Sequence, residues 1–249
     1  MRHPMQTTAP FVILGMPRTG THYLEELLNL HPNVSSNGEL LNPYDTVWPD
    51  PDRFLRSNRE LLEIAYQRYP GLKGKSHVTH IGCKINQPQF QERPGFFDEL
   101  TSWPCLKAIL LIRKNTLESL RSLVQARQSG QWLKYRGEAD LTPPPQINLT
   151  INDCETYFKT ADDFHRQVKE SFAPENLLPI YYENLLTAPG PCLHTVWSFL
   201  GTPAHPCFYR SRLKRQEVRS LPQTVVNFDE LKRHFSDGPY ESFFETRAG

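Results

Sequence analysis

The strongest constraint on this chain lies near its start. Phe11 to Gly15 is a short, β-rich apolar run ending on glycine, and Met16-Pro-Arg-Thr-Gly-Thr-His22 leads from it straight into the helical pattern Tyr-Leu-Glu-Glu-Leu-Leu. A strand, a glycine-containing turn and a helix start, in that order, gather backbone N–H groups and the positive end of a helix dipole around one point. Such a turn is an anion cradle, and it suits a chain that packs helices on parallel strands.

Periodicity along the rest of the chain agrees. Apolar runs at Asn33 to Ser36, His80 to Ile85, Lys107 to Ile112 and Leu177 to Tyr182 alternate with helix-like stretches at Thr21 to Leu30, Asn58 to Arg68, Thr116 to Gln128, Cys154 to Phe172 and Leu193 to Leu200. Leu117, Leu120, Leu123 and Val124 fall on one helical face. The pattern predicts an α/β fold with a parallel sheet of about five strands flanked by helices. With no internal repeat and no long linker, residues 1–249 read as a single domain. Residues 1–9 are expected as a flexible N-terminus, 134–152 with its three prolines as a loop, and 205–249 as an irregular C-terminal segment.

Charge and cysteine usage narrow the function classes. The 28 Lys and Arg against 27 Asp and Glu leave a net charge of +1, which excludes a polycationic nucleic-acid coat, an acidic tail protein and charge-driven disorder. Five cysteines, at positions 83, 105, 154, 192 and 207, form no CxxC pair and have no histidine at metal-ligand spacing. They read as reduced thiols, with no metal site. The N-terminus lacks the apolar core of a signal peptide, and no window approaches a membrane span. The expectation is a cytoplasmic protein.

The loop Gly15-Met-Pro-Arg-Thr-Gly20 has the glycine spacing of the ATP-binding P-loop, in which the second glycine is followed by Lys and then Ser or Thr. Here Thr21 and His22 hold those places, so the loop is poorly suited to a triphosphate. Arg18 can still pair with a phosphate in bidentate fashion. The loop therefore reads as a site for one 5′-phosphate or phosphosulfate, against the plainer reading of a strand-to-helix turn with Thr21 as N-cap. A second site is suggested where Lys107 to Ile112 ends in Arg113-Lys114-Asn115 and the next helix brings Ser119 and Ser122. Two phosphate sites imply a nucleotide phosphorylated at two positions; solvated surface charges are the alternative.

These residues carry a family resemblance. Gly-Met-Pro-Arg-Thr-Gly-Thr-His resembles the 5′-phosphosulfate loop of sulfotransferases that use 3′-phosphoadenosine 5′-phosphosulfate (PAPS), and the run from Arg113 to Trp132 resembles the 3′-phosphate segment of the bacterial trehalose-sulfotransferase-like branch. Within that branch the likeness is to the nodulation sulfotransferases that modify lipochitooligosaccharide Nod factors. It extends through Ser-Asn-Gly-Glu-Leu-Leu-Asn, Gly-Cys-Lys-Ile-Asn and Pro-Gln-Phe-Gln-Glu-Arg-Pro. The resemblance implies a P-loop-like fold and metal-free transfer from PAPS to a sugar hydroxyl. The acceptor it implies is the 6-hydroxyl of the reducing-end N-acetylglucosamine of a lipochitooligosaccharide; another bacterial glycan or glycolipid, or a non-catalytic nucleotide- or glycan-binding role, are the alternatives. Arg18, Thr19, Gly20, Thr21 and His22 would hold the 5′-phosphosulfate, and Arg113 with Ser122 the 3′-phosphate. Ser122 follows Arg113 by nine residues and Lys114 by eight, so both bases stand as partners for it. Lys214, Arg215 and Gln216 fall where relatives return a loop over the nucleotide.

Transfer to an alcohol needs a base for the hydroxyl proton and positive groups for the departing oxygen. Glu39, in Ser-Asn-Gly-Glu-Leu, matches the loop in which that branch carries its proposed base. Lys84, placed at a strand end, could reach the sulfuryl group or simply extend to solvent. His22 at a helix start is expected as a neutral donor, because the dipole disfavours imidazolium. Tyr44, Trp48, Trp103, Trp132 and Tyr135 are candidates to stack on sugar rings, or are packing residues.

Overall fold

The computed structural model describes residues 8–48, 50–68, 75, 77–138, 143–206 and 209–245. In chain order its elements are β1 (Ala9–Gly15), α1 (Thr21–Leu28), β2 (Val34–Glu39), α2 (Asn58–Glu63) with a π-helical turn at Ile64–Arg68, β3 (His80–Asn86), α3 (Gln87–Glu92), α4 (Phe96–Thr101), β4 (Lys107–Ile112), α5 (Thr116–Ser129), α6 (Ile151–Ser171), β5 (Leu177–Tyr181), α7 (Tyr182–Thr187), α8 (Pro189–Leu200), α9 (Leu221–Thr224) and α10 (Phe228–His234). By contacts the chain parts into two compact units, residues 1–112 with 167–210 and residues 113–166 with 211–249.

The first unit holds the expected parallel sheet, five strands in the order β2-β3-β1-β4-β5. Side chains alternate across a strand, and here both faces are covered. Phe11 and Ile13 of β1 pack in one cluster with Leu24, Leu27 and Leu28 of α1 and Leu193, Val196, Trp197 and Leu200 of α8. Val12 and Leu14, offset by one residue, are equally buried. Burial on both faces is why β1 and β4 read as unbroken apolar runs.

β2 looked weak in the sequence because its buried residues are polar. Ser35, Ser36 and Asn37 are all buried, and Ser36 pairs through its backbone with the Asn29 amide, N–H to Oδ1 at 2.8 Å and Nδ2 to the carbonyl at 2.9 Å. Hydrogen bonds to a side chain thus stand in for apolar packing. The strand runs to Glu39, three residues beyond the expected end.

In the second unit, Leu117 and Leu120 of α5 pack with Phe158 of α6 and with Leu231, Phe235 and Phe244. Val124 is partly buried beside them. The C-terminal segment, expected as irregular, forms α9, α10 and a 3₁₀ turn at Glu241–Phe244. α9 starts in a capping box between Ser220 and Gln223, a local signal within a helix too short to show periodicity. Ile147, in the expected loop, bridges to Val225, and α6 begins at Ile151.

Candidate active site

The Gly15–Gly20 loop is shaped by close approach. A Cβ on Gly15 would lie 2.8 Å from Thr19 Oγ1 and 3.2 Å from the Leu111 carbonyl, so only glycine fits there. Thr19 is buried and its hydroxyl donates to the Met16 carbonyl at 2.8 Å, fastening the turn. Arg18 and Gly20 have φ of +65° and +93°. Gly20 is the N-cap of α1, with Thr21 already helical, which removes the reading of Thr21 as the cap. A glycine cap brings no side chain of its own to the first helical N–H groups, the arrangement in which helix starts bind anions.

Beside the loop stands a charged cluster. Lys84 lies inside β3, in register with Ile13 of β1 and Glu39 of β2, two residues short of the strand end where the sequence placed it. Its side chain is wholly buried, which excludes an ammonium reaching out to solvent. The Lys84 ammonium donates to Glu25 Oε2 at 2.5 Å and to His22 Nδ1, and Glu39 Oε1 lies 4.0 Å away. Burial first, and then the Lys84 charge, lower His22 from the ordinary 6.5 to about 4. Burial and Lys84, rather than the helix dipole, are the causes of this shift toward the neutral ring. A neutral ring accepting at Nδ1 carries its proton on Nε2 and is a donor there.

Glu39 closes β2 through a bulge. Gly38 before it has φ +61°, and the Glu39 N–H donates to Asp45 Oδ2 at 2.6 Å. The Glu39 carboxylate is oriented by three amides, Asn86 Nδ2 at 3.1 Å on Oε1, and Asn42 Nδ2 at 2.8 Å and Gln89 Nε2 at 3.4 Å on Oε2. Asn86 also accepts from the Thr21 hydroxyl at 3.4 Å. The structure therefore brings Thr21, His22, Lys84 and Glu39 into one network at the carboxyl ends of β1, β2 and β3. That combination offers a carboxylate base and a cationic or polar donor set side by side.

Sequence reasoning missed Glu25, Asn86 and Gln89. Glu25 was recoverable: with Thr21, Leu24 and Leu28 it lies on the buried face of α1, an odd place for a carboxylate without a partner. Asn86 and Gln89 form the capping box of α3.

In the second unit, Arg113 donates to Glu118 Oε2 at 3.1 Å, and the same oxygen receives Arg121. Arg121 is buried and also donates to the Arg219 carbonyl at 3.1 Å. Ser122 is half-buried, whereas Lys114, Lys214 and Arg215 are exposed. Ser122, Gln125, Gln131, Pro144, Gln216 and Glu217 line one small cavity. Burial opposes ionisation of Glu217, but hydrogen bonds from Arg219 and Gln125 outweigh it and hold the carboxyl at about 2. Glu118 and Arg121 were not singled out by sequence, although Asn115 caps α5 on the Glu118 N–H at 3.2 Å.

Of the aromatic candidates, Trp48 and Trp103 are core residues, and Arg59 stacks 4.4 Å over the Trp103 ring. Tyr44 and Trp132 are exposed, and Tyr135 is half-buried with Arg212 5.8 Å over its ring. Among the described residues no group of His, Cys, Asp and Glu could hold a metal ion, and no helix is long and apolar enough to cross a membrane. Cys83, Cys105, Cys154 and Cys192 are free thiols; Cys207 lies outside the described residues.

A model of the sulfotransferase family matches residues 10–91, the span that holds the loop, Glu39 and Lys84. The chain is 62% identical to nodulation protein H of Rhizobium tropici over 98% of this chain and 96% of that one. It is 60% identical to nodulation protein H of Rhizobium meliloti strain 1021, over 98% of each. A sulfotransferase structure from Alicyclobacillus acidocaldarius shares the fold at a TM-score of 0.52 and 18% identity, over 98% of this chain and 95% of that one.

Proposed function

The chain belongs to the nodulation protein H family of sulfotransferases, and from that premise we propose that it transfers a sulfuryl group from PAPS to the 6-hydroxyl of the reducing-end N-acetylglucosamine of a lipochitooligosaccharide. The observation that carries this reading is the network of Glu39, Lys84 and His22 at the rim of the Gly15–Gly20 loop. The loop's chemistry supports a phosphosulfate: Gly20 caps α1 without a side chain, Arg18 lies within the turn, and the Lys that a triphosphate needs is replaced by Thr21.

When bound, PAPS supplies an electrophilic sulfuryl group on a nucleotide leaving group. Glu39, held by its three amides, takes the proton from the acceptor hydroxyl. Arg18, the first N–H groups of α1, the His22 Nε2–H and Lys84 offset the charge that gathers on the departing phosphate oxygen. Arg113 with Ser122 holds the 3′-phosphate, with Lys114 and Arg215 as further cations. Exposed Tyr44 and Trp132 are the remaining candidates for stacking on sugar rings. We place this activity in the cytoplasm.

A thermal-shift titration with 3′-phosphoadenosine 5′-phosphate (PAP), beside 5′-AMP and magnesium-ATP, tests the donor. Ligand at 100 times its dissociation constant adds about 2.7 kcal/mol, roughly 5–10 °C for a chain this size. A rise selective for the bisphosphate supports the reading; no shift, or a preference for ATP, removes it. Competition between chitin oligosaccharides and other surface glycans for labelled sulfate then decides the acceptor.

A further inference from the structure

We propose that Glu25 is a positioning residue of the transfer site, acting through Lys84 and through the turn that carries Glu39. The proposal rests on the reading of Glu39 as base and PAPS as donor. Glu25 is 5% exposed, and both of its oxygens are engaged. Oε2 accepts from Lys84 of β3, while Oε1 accepts from the Gly38 N–H at 2.6 Å and the Ser36 hydroxyl at 3.1 Å, both on β2. One carboxylate on α1 thus ties the buried cation to the strand end that presents the base.

The charge arithmetic gives Glu25 a second task. An ammonium withdrawn from water needs a counterion, and two carboxylates stand near Lys84. Glu25 makes the hydrogen bond; Glu39, 4.0 Å away, does not, and its oxygens face Asn86, Asn42 and Gln89. By serving as the hydrogen-bonded counterion, Glu25 leaves Glu39 only the longer, 4.0 Å contact with Lys84 and so leaves its carboxylate the better placed to take a proton. The other titratable groups facing the cluster are His22 and Glu26 of α1, Asp45 after β2, and the Cys83 thiol of β3, which burial pushes up to about 12 and so keeps neutral.

Glu25→Gln keeps an acceptor for Gly38 and Ser36 and removes the charge. The expected result is a kcat lower by about 100-fold, with the dissociation constant for PAP within about threefold of wild type and the alkaline limb of the kcat profile moved about one pH unit toward acid. Glu25→Asp, which retains the charge, should keep the wild-type pH profile and recover part of the rate. A purely structural role would instead lower the melting temperature and weaken PAP binding in step with kcat, at an unchanged pH profile, and would overturn the proposal. Should Glu25→Gln fail to fold, Glu25→Asp decides: a kcat lowered while PAP affinity stays within about threefold of wild type supports the positioning role, and a wild-type kcat, or a PAP affinity that falls in step with kcat, overturns it. Failure of the wild-type protein to bind PAP would remove the underlying reading. Wild-type transfer beside an unaltered Glu25→Gln profile would remove the Glu25 role alone.

Discussion

Gly38→Ala probes the geometry of Glu39, the proposed base, most sharply. Gly38 has φ +61°, and an added Cβ would lie 2.6 Å from Asp45 Oδ2 and 2.8 Å from Oδ1. That carboxylate cannot swing away without loss, since Oδ2 accepts the Glu39 N–H at 2.6 Å and Oδ1 the Val47 N–H at 2.8 Å. The left-handed backbone costs an alanine about 1–2 kcal/mol, and losing one hydrogen bond to a charged group about 1.5–3 kcal/mol. The combined loss of about 2.5–5 kcal/mol corresponds to a fall of roughly 5–20 °C in melting temperature. Gly130→Ala is the control: φ there is +71° and nothing lies within 4 Å of the added carbon, so only the backbone cost applies. Heat unfolding of both variants, beside sulfate transfer, makes the comparison. Gly38→Ala should unfold earlier than Gly130→Ala and lose at least tenfold in kcat, because Glu39 follows directly. Equal unfolding of the two variants, with transfer intact in Gly38→Ala, would refute the claim that Asp45 pins the turn.

Other outcomes follow from the same contacts. His22 sits at about 4, below its ordinary 6.5, so between those values the unfolded chain binds a proton that the folded site refuses; the stability it contributes is whole above pH 6.5 and falls away as pH drops toward 4. Urea midpoints at pH 7 and 4.5 should therefore differ less in His22→Asn than in wild type. Glu217, held at about 2 against an ordinary 4.5, adds stability that is whole above pH 4.5 and lost as pH falls toward 2, so Glu217→Gln should shallow the acid limb of unfolding. Among the four described cysteines, Cys105 is exposed while Cys83 and Cys154 are buried with thiols pushed up to about 12. A maleimide at pH 7 should label Cys105 well before those two in the native protein, read by peptide mass.

What the sequence revealed follows the range of each signal. β1, its loop and α1 were legible because strand, glycine turn and helix are consecutive in the chain. The short helices α3 and α9 begin in capping boxes at Asn86 and Ser220, yet span too few turns for apolar periodicity to register. Lys84 was found as a candidate, but its burial was not legible, since its neighbours in sequence, Cys83 and Ile85, say nothing of Glu25 on α1. That pairing spans 59 residues and arises only where the buried face of α1 meets β3 in the folded chain. The aromatic candidates split for the same reason: Trp48 and Trp103 are buried and Tyr44 and Trp132 exposed, a difference set by packing rather than by local sequence.

The central claim is that Glu39 is the base of a PAPS-dependent transfer to a glycan hydroxyl. Its most direct test is the transfer of radiolabelled sulfate from PAPS to acylated chitin oligosaccharides by the wild-type protein and by Glu39→Ala, with PAP affinity measured on both. The account predicts labelled oligosaccharide from wild type, turnover reduced by about 10²–10⁴-fold in Glu39→Ala, and PAP bound equally well by the two. Substantial transfer by Glu39→Ala would contradict it.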